Sequence, residues 1–187
     1  MTVSEGQGQV RTVHVPDIVR IKVTSMGDGG VGKSCLIKRY CEERFVSKYI
    51  TTVGVDYGVK TVDVEGYEVR VNFWDLSGHG EFFDVRNEFY KDTQGAILCF
   101  DLSSRRSFEA LDGWLTEARK YGCSETSAQF VLVGCKSDKR RIVTEHEAQS
   151  WARERGIPYW ETSSNTGANV VEMFESLFQR VVRRFVQ

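Results

Sequence analysis

Gly27 to Ser34 reads GDGGVGKS, and no other stretch of the chain concentrates as much chemistry. Glycines at this density let successive backbone N–H groups turn inward and wrap a polyphosphate. Gly29, Gly30, Val31, Gly32 and Cys35 fall where that wrapping backbone would lie. Lys33 would reach the β- and γ-phosphates, and the Ser34 hydroxyl would take a Mg²⁺ position. A ligand-free turn is the rival reading. The apolar run Val19–Met26 before the loop and the helical spacing after it (Cys35, Leu36, Ile37, Tyr40) argue against that. The chain is expected to bind a nucleoside polyphosphate.

The elements that would position this loop alternate. A strand, Arg20 to Gly27, leads into it, and a helix leaves it and runs to about Glu42. Arg44 to Val53 has no clear period and is expected as a loop. Gly54 to Val64 and Tyr67 to Asp75 alternate around Glu65-Gly66, which predicts a hairpin. Phe82 to Tyr90 reads as a short helix. Strands at Gly95–Asp101, Phe130–Gly134 and Tyr159–Glu161 then alternate with helices at Arg105–Tyr121, Thr144–Glu154 and Ala168–Phe185. Near-continuous apolar strands between helices predict an α/β fold. Its sheet is mostly parallel and covered on both faces, with one antiparallel strand at the edge. Ligands of such sheets sit at the carboxyl ends of the strands. Four polar clusters fall at or near those ends: Thr51-Thr52, Asp75-Leu76-Ser77-Gly78, Cys135-Lys136-Ser137-Asp138, and Thr162-Ser163-Ser164-Asn165. Asp75 can hold Mg²⁺ through water, Thr52 can offer it a hydroxyl, and the Gly78 N–H can meet a γ-phosphate.

Composition narrows the partners. The 187 residues, 41% hydrophobic and 27% charged, suit one domain, expected over residues 20–187 behind a flexible extension of residues 1–19. A net charge of −1 gives no general attraction to nucleic acid or anionic membrane. Five cysteines without paired spacing fit reduced thiols in the cytosol. No apolar run approaches a membrane span, and Met-Thr at the start gives no myristoylation signal.

The order of elements and motifs resembles the Ras superfamily of small GTPases, most closely its Rab branch. GDGGVGKS matches the family's first motif; TTVGVDY resembles the first switch, WDLSGHGEFF resembles WDTAGQERF, CKSD resembles NKxD, and ETSSNTG resembles ETSAKTG. RIKVTSMG, KRYCEERFVSKY and VRNEFYKDTQG look like the Rab-like GTPases often carried ahead of a J domain, the RJL group. The resemblance implies a P-loop NTPase small G domain, a three-layer sandwich with a six-stranded sheet and about five helices. It implies GTP/GDP and Mg²⁺ as ligands, with Ser34, Thr52 and (through water) Asp75 at the metal. Asp138 would read guanine N1–H and N2–H₂, the Lys136 stem would lie over the ring, and the Ser164 N–H would meet O6, with Ser163 and Asn165 in the same motif. Phe45 falls where the family stacks an aromatic on guanine, and Tyr49 where it covers the phosphates. Tyr57, Trp74 and Phe89 fall on the aromatic triad shown to effectors, although a plain core role suits them equally. A monomeric, cytoplasmic switch is implied, with basal-body or centrosome association as a family trait.

Three departures bear on function. Cys135 stands where the family has a base-binding asparagine, so nucleotide binding is expected to weaken by about 1–3 kcal/mol, unless the change is a tolerated packing swap. His79 stands where a glutamine orients the attacking water, which predicts slow hydrolysis. Three alternatives stand beside this: His79 awaits a partner, acts as the histidine of D-x-x-G-H translational GTPases does, or is a solvated bystander. No cysteine follows Cys135, so no lipid anchor is expected; Arg180, Arg183 and Arg184 suit a small basic patch or a solvated helix face. Beside the switch stands a second expectation, a non-cycling protein-interaction module stabilised by GTP, and a more distant one, an ATP-using enzyme.

Overall fold

The computed structural model describes residues 18–187; the extension expected over residues 1–19 lies, apart from Ile18 and Val19, outside the described residues. Six strands form one sheet: β1 (Val19–Met26), β2 (Val55–Val64), β3 (Tyr67–Leu76), β4 (Gly95–Asp101), β5 (Gln129–Cys135) and β6 (Tyr159–Glu161). Their order is β2-β3-β1-β4-β5-β6. Only the β2–β3 hairpin pairs antiparallel; the other neighbours run parallel. The helices are α1 (Lys33–Glu42), α2 (Phe83–Arg86), α3 (Arg105–Glu109), α4 (Leu111–Lys120), α5 (Glu145–Glu154) and α6 (Val170–Phe185).

Apart from Asp101 at the end of β4 and Gln129 at the start of β5, these two strands are apolar because both of their faces are covered. On one face, α1 and α6 pack Leu36, Ile37, Tyr40, Phe174 and Phe178 against Val71 and Phe73. Tyr40 and Phe174 stack there with centroids 4.3 Å apart. On the other face, α4 and α5 pack Leu111, Trp114, Leu115, Ala148 and Ala152 against Leu98, Phe100 and Leu132. The expected three layers are present.

Two helices depart from expectation. The Arg105–Tyr121 helix is interrupted at Ala110, where ψ relaxes to −11° and the N–H is shared between the carbonyls of Arg106 and Phe108. The Phe82–Tyr90 helix is a single α-helical turn, α2, between two 3₁₀ turns, Gly80–Phe82 and Asn87–Phe89. So short a segment does not sustain an α-helix without help from packing. No described helix is long and apolar enough to cross a membrane.

The three arginines of α6 act as ties. Arg180 donates to the Phe130 carbonyl, Arg184 to those of Glu125, Thr126 and Ala128, and Arg183 pairs with Glu65 in the hairpin turn.

Candidate functional site

The phosphate loop forms because β1 ends on a glycine-rich turn and α1 starts immediately after it. Gly32, the residue capping α1, has φ 117°, a left-handed conformation that glycine enters without penalty. No side chain caps this helix, so its first N–H groups face the cleft, where the helix dipole favours an anion. Val31 is 2% exposed and plugs into the core, contributing its backbone alone to the loop. Lys33 is buried, and its Nζ donates to the carbonyls of Gly27 (2.7 Å) and Asp28 (2.9 Å). Burial lowers its pKa, against the pull of Asp75.

Strand register assembles the cation set. β1 and β3 pair Ser25 with Asp75, and Ser25 Oγ donates to Asp75 Oδ1 at 2.7 Å. The other carboxylate oxygen accepts from the Ser34 hydroxyl, which lies 2.8 Å from Thr52 Oγ1. Thr52 itself reaches Asp75 Oδ2 at 3.5 Å. Burial raises the Asp75 pKa, opposed by Ser34, Lys33 and Ser25. Two hydroxyls and a carboxylate are hard oxygen donors of the kind Mg²⁺ takes, and the residues present fit that ion. Among the described residues no three His, Cys, Asp or Glu converge as a metal cluster.

Backbone packs on backbone where the β3 loop meets the phosphate loop. A Cβ at Gly78 would collide with the backbone of Gly29 and Asp28, so only glycine fits there. His79 follows, its ring lying over Gly29: a Cβ at position 29 would stand 2.6 Å from Nε2. That Nε2 is 3.2 Å from the Tyr49 hydroxyl, which joins the loop after α1 to the loop after β3.

At the other end of the cleft stand Cys135, Lys136, Asp138, Ser164 and Asn165, with Phe45 on its side. Asp138 Oδ1 accepts from Ser163 Oγ at 2.7 Å and Oδ2 from Asn165 Nδ2 at 3.2 Å. These bonds, Ser163 foremost, lower its pKa. Ser163 is buried and serves the site through Asp138. Cys135 is 3% exposed, and its side chain lies against Gly32. Other side chains hold the phosphate loop. Lys136 Nζ donates to the Gly30 carbonyl and pairs with Asp101, both at 2.7 Å, and Trp114 Nε1 donates to Asp28 Oδ1 at 2.7 Å.

The structure therefore brings the candidate nucleotide- and metal-binding residues from the sequence to one cleft or its immediate backing. It adds Val46, Ser47, Lys48 and Ile50 to the lining, all from the stretch read only as a loop, and Lys139. Asp101, Trp114, Arg86 and Glu117 were not foreseen. Asp101 could have been flagged as an acid ending an otherwise apolar strand; the others carry no local signal. Tyr57, Trp74 and Phe89 form a row, with centroids 4.7 and 5.0 Å apart. Tyr57 is exposed and the other two half-buried, which favours a surface over a core role.

Comparison with known proteins agrees with this arrangement. DnaJ homolog subfamily C member 27 of Danio rerio is 50% identical over 168 residues, which cover 87% of this chain and 62% of that protein. The Homo sapiens protein of the same name is 50% identical over 170 residues, and that of Gallus gallus 48% over 169, each covering 88% of this chain and 62% of the relative. The chain thus spans less than two thirds of the length of these relatives. Residues 22–183 match the Ras family, and the chain belongs to that family of small GTPases.

Proposed function

We infer that this chain is a guanine-nucleotide switch, binding GTP and GDP with Mg²⁺ and hydrolysing GTP slowly. One observation carries the reading. A single cleft holds Lys33 and the phosphate loop at one end, the Ser34–Thr52–Asp75 oxygens beside them, and the Asp138 carboxylate at the other end. Mg²⁺, held by Ser34 and Thr52 with Asp75 behind, would offset phosphate charge. Asp138 presents a buttressed acceptor to two adjacent N–H groups, which guanine offers and adenine does not; facing adenine it would be left unpaired. This favours GTP over ATP. Thr52 and Gly78 approach the phosphate end from two different loops, so their joint grip on a γ-phosphate would order both loops with GTP and release them with GDP. The Tyr57–Trp74–Phe89 row borders the same loops and suits an effector protein. Five free thiols support a reducing, cytoplasmic setting.

The second reading is a GTP-stabilised module that does not cycle. The packing of His79 on Gly29 and its contact with Tyr49 favour it, because a ring held there is not free to orient water. Purifying the protein without added nucleotide, denaturing it and identifying what is released by ion-pair chromatography separates the two. Near-stoichiometric GTP supports the module, mostly GDP supports the cycling switch, and an ATP-loaded protein would sink both.

Asp75 links fold and ligand. Its folded-state pKa lies above the unfolded value, so it favours folding while protonated and loses that benefit as the pH rises through the folded value. Burying the ionised form opposes folding, and a cation beside it would offset that cost. Asp75→Asn is expected to raise the melting temperature of nucleotide-free protein in chelator. In the unmodified protein, chelator should speed nucleotide release about tenfold or more; in the variant this difference should vanish. Release rates with and without EDTA check both.

A further inference from the structure

Arg86 is the one residue of the α2 turn that is buried, and its guanidinium is almost fully used. Nε and Nη2 form a bidentate pair with Glu117 of α4, at 2.7 and 2.8 Å. Nη1 donates to the carbonyl of His79 at 2.7 Å and, longer, to that of Ser77 at 3.4 Å. These two carbonyls flank Gly78. The arrangement is anchored from behind. Tyr90 donates its hydroxyl to Glu117 at 2.7 Å, and the guanidinium lies 4.5 Å from the centroid of Trp114, whose indole N–H holds Asp28 of the phosphate loop. Burial alone would lower the Arg86 pKa, but Glu117 more than offsets this and raises it, so the cation persists at any physiological pH.

We propose that Arg86 is the positioning residue for γ-phosphate recognition. It clamps the carbonyls on either side of Gly78, and through Trp114 and Asp28 it sets that glycine's N–H against the phosphate loop. The inference rests on the guanine-nucleotide reading and goes beyond it. A planar fork reaches a carboxylate and two carbonyls at once from three separate nitrogens; an ammonium, one nitrogen with three N–H donors, cannot span all four acceptors. The clamp acts on the Gly78 N–H, which on this reading would meet the γ-phosphate, a group GTP has and GDP lacks. Its loss therefore separates the two nucleotides, whereas loss of a merely structural residue weakens both alike.

The test is the dissociation rate of GDP and of a slowly hydrolysed GTP analogue from the whole chain, with and without Arg86→Lys. Lysine keeps the charge opposite Glu117 and gives up the double clamp. The GTP analogue is expected to leave about tenfold faster while GDP release is unchanged. Glu117→Gln, which keeps the arginine but loosens its seat, should move the same ratio in the same direction by less, and it serves if the lysine variant does not fold. Equal acceleration of both nucleotides, or no change in either, would overturn the proposal. Unmodified protein that holds neither nucleotide would instead overturn the guanine-nucleotide reading itself, and the clamp with it.

Discussion

Asp138→Asn is expected to abolish the preference for GTP and to create one for the xanthine nucleotide. The carboxylate accepts on both oxygens, and Ser163 and Asn165 hold it in one plane at the base end of the cleft. Asparagine replaces one acceptor by a donor, which then faces the guanine amino group. One hydrogen bond is inverted and the other loses its charged acceptor, together a cost of about 3–5 kcal/mol, or roughly 150- to 5000-fold in affinity. Xanthine carries a carbonyl where guanine carries the amino group, so the new donor meets an acceptor. Competition binding of GTP, XTP and ATP measures the outcome. Unchanged GTP selectivity would remove Asp138 from the base site.

His79→Gln is expected to speed single-turnover GTP hydrolysis by about one to two orders of magnitude, because in phosphoryl transfer the protein chiefly positions and stabilises. The imidazole is occupied: its ring rests on Gly29 and its Nε2 meets the Tyr49 hydroxyl. Glutamine has no ring to park there and presents both a donor and an acceptor to water. Quench-flow or phosphate-release kinetics after mixing GTP-loaded protein with Mg²⁺ decides the matter. An unchanged rate would mean that the histidine is not what limits turnover.

The two sites differ in how far they could be read from the chain alone. GDGGVGKS is local: the turn, its wrapping backbone, Lys33 and Ser34 lie within eight residues, and strand and helix follow from the apolar pattern on either side. Strand ends located Thr52, Asp75 and Asp138 because an α/β sheet gathers its ligand there. What holds those residues in place was not legible. Trp114 meets Asp28 across 86 positions, Lys136 meets Asp101 across 35 and Arg86 meets Glu117 across 31. Each pair depends on which helix packs over which strand. In sequence, Arg86 looks like any charge in a short helix, and Trp114 like any apolar residue on a helix face. The concern over Cys135 came from a single position. The structure shows that Lys136 and Trp114 also hold the phosphate loop, through Gly30 and Asp28. The interruption at Ala110 and the 3₁₀ turns around α2 escaped notice because hydrophobic spacing cannot distinguish a tightened turn from a regular one.

β2 pairs only with β3 and leaves its other edge without a strand among the described residues. Ten residues of bare backbone there would invite another chain to add itself to the sheet. Asp56 and Asp63 are exposed on this strand, so a second copy approaching side by side would have to desolvate them. The strand that carries Tyr57 of the proposed effector row thus also bears acids that disfavour another chain adding itself to the sheet.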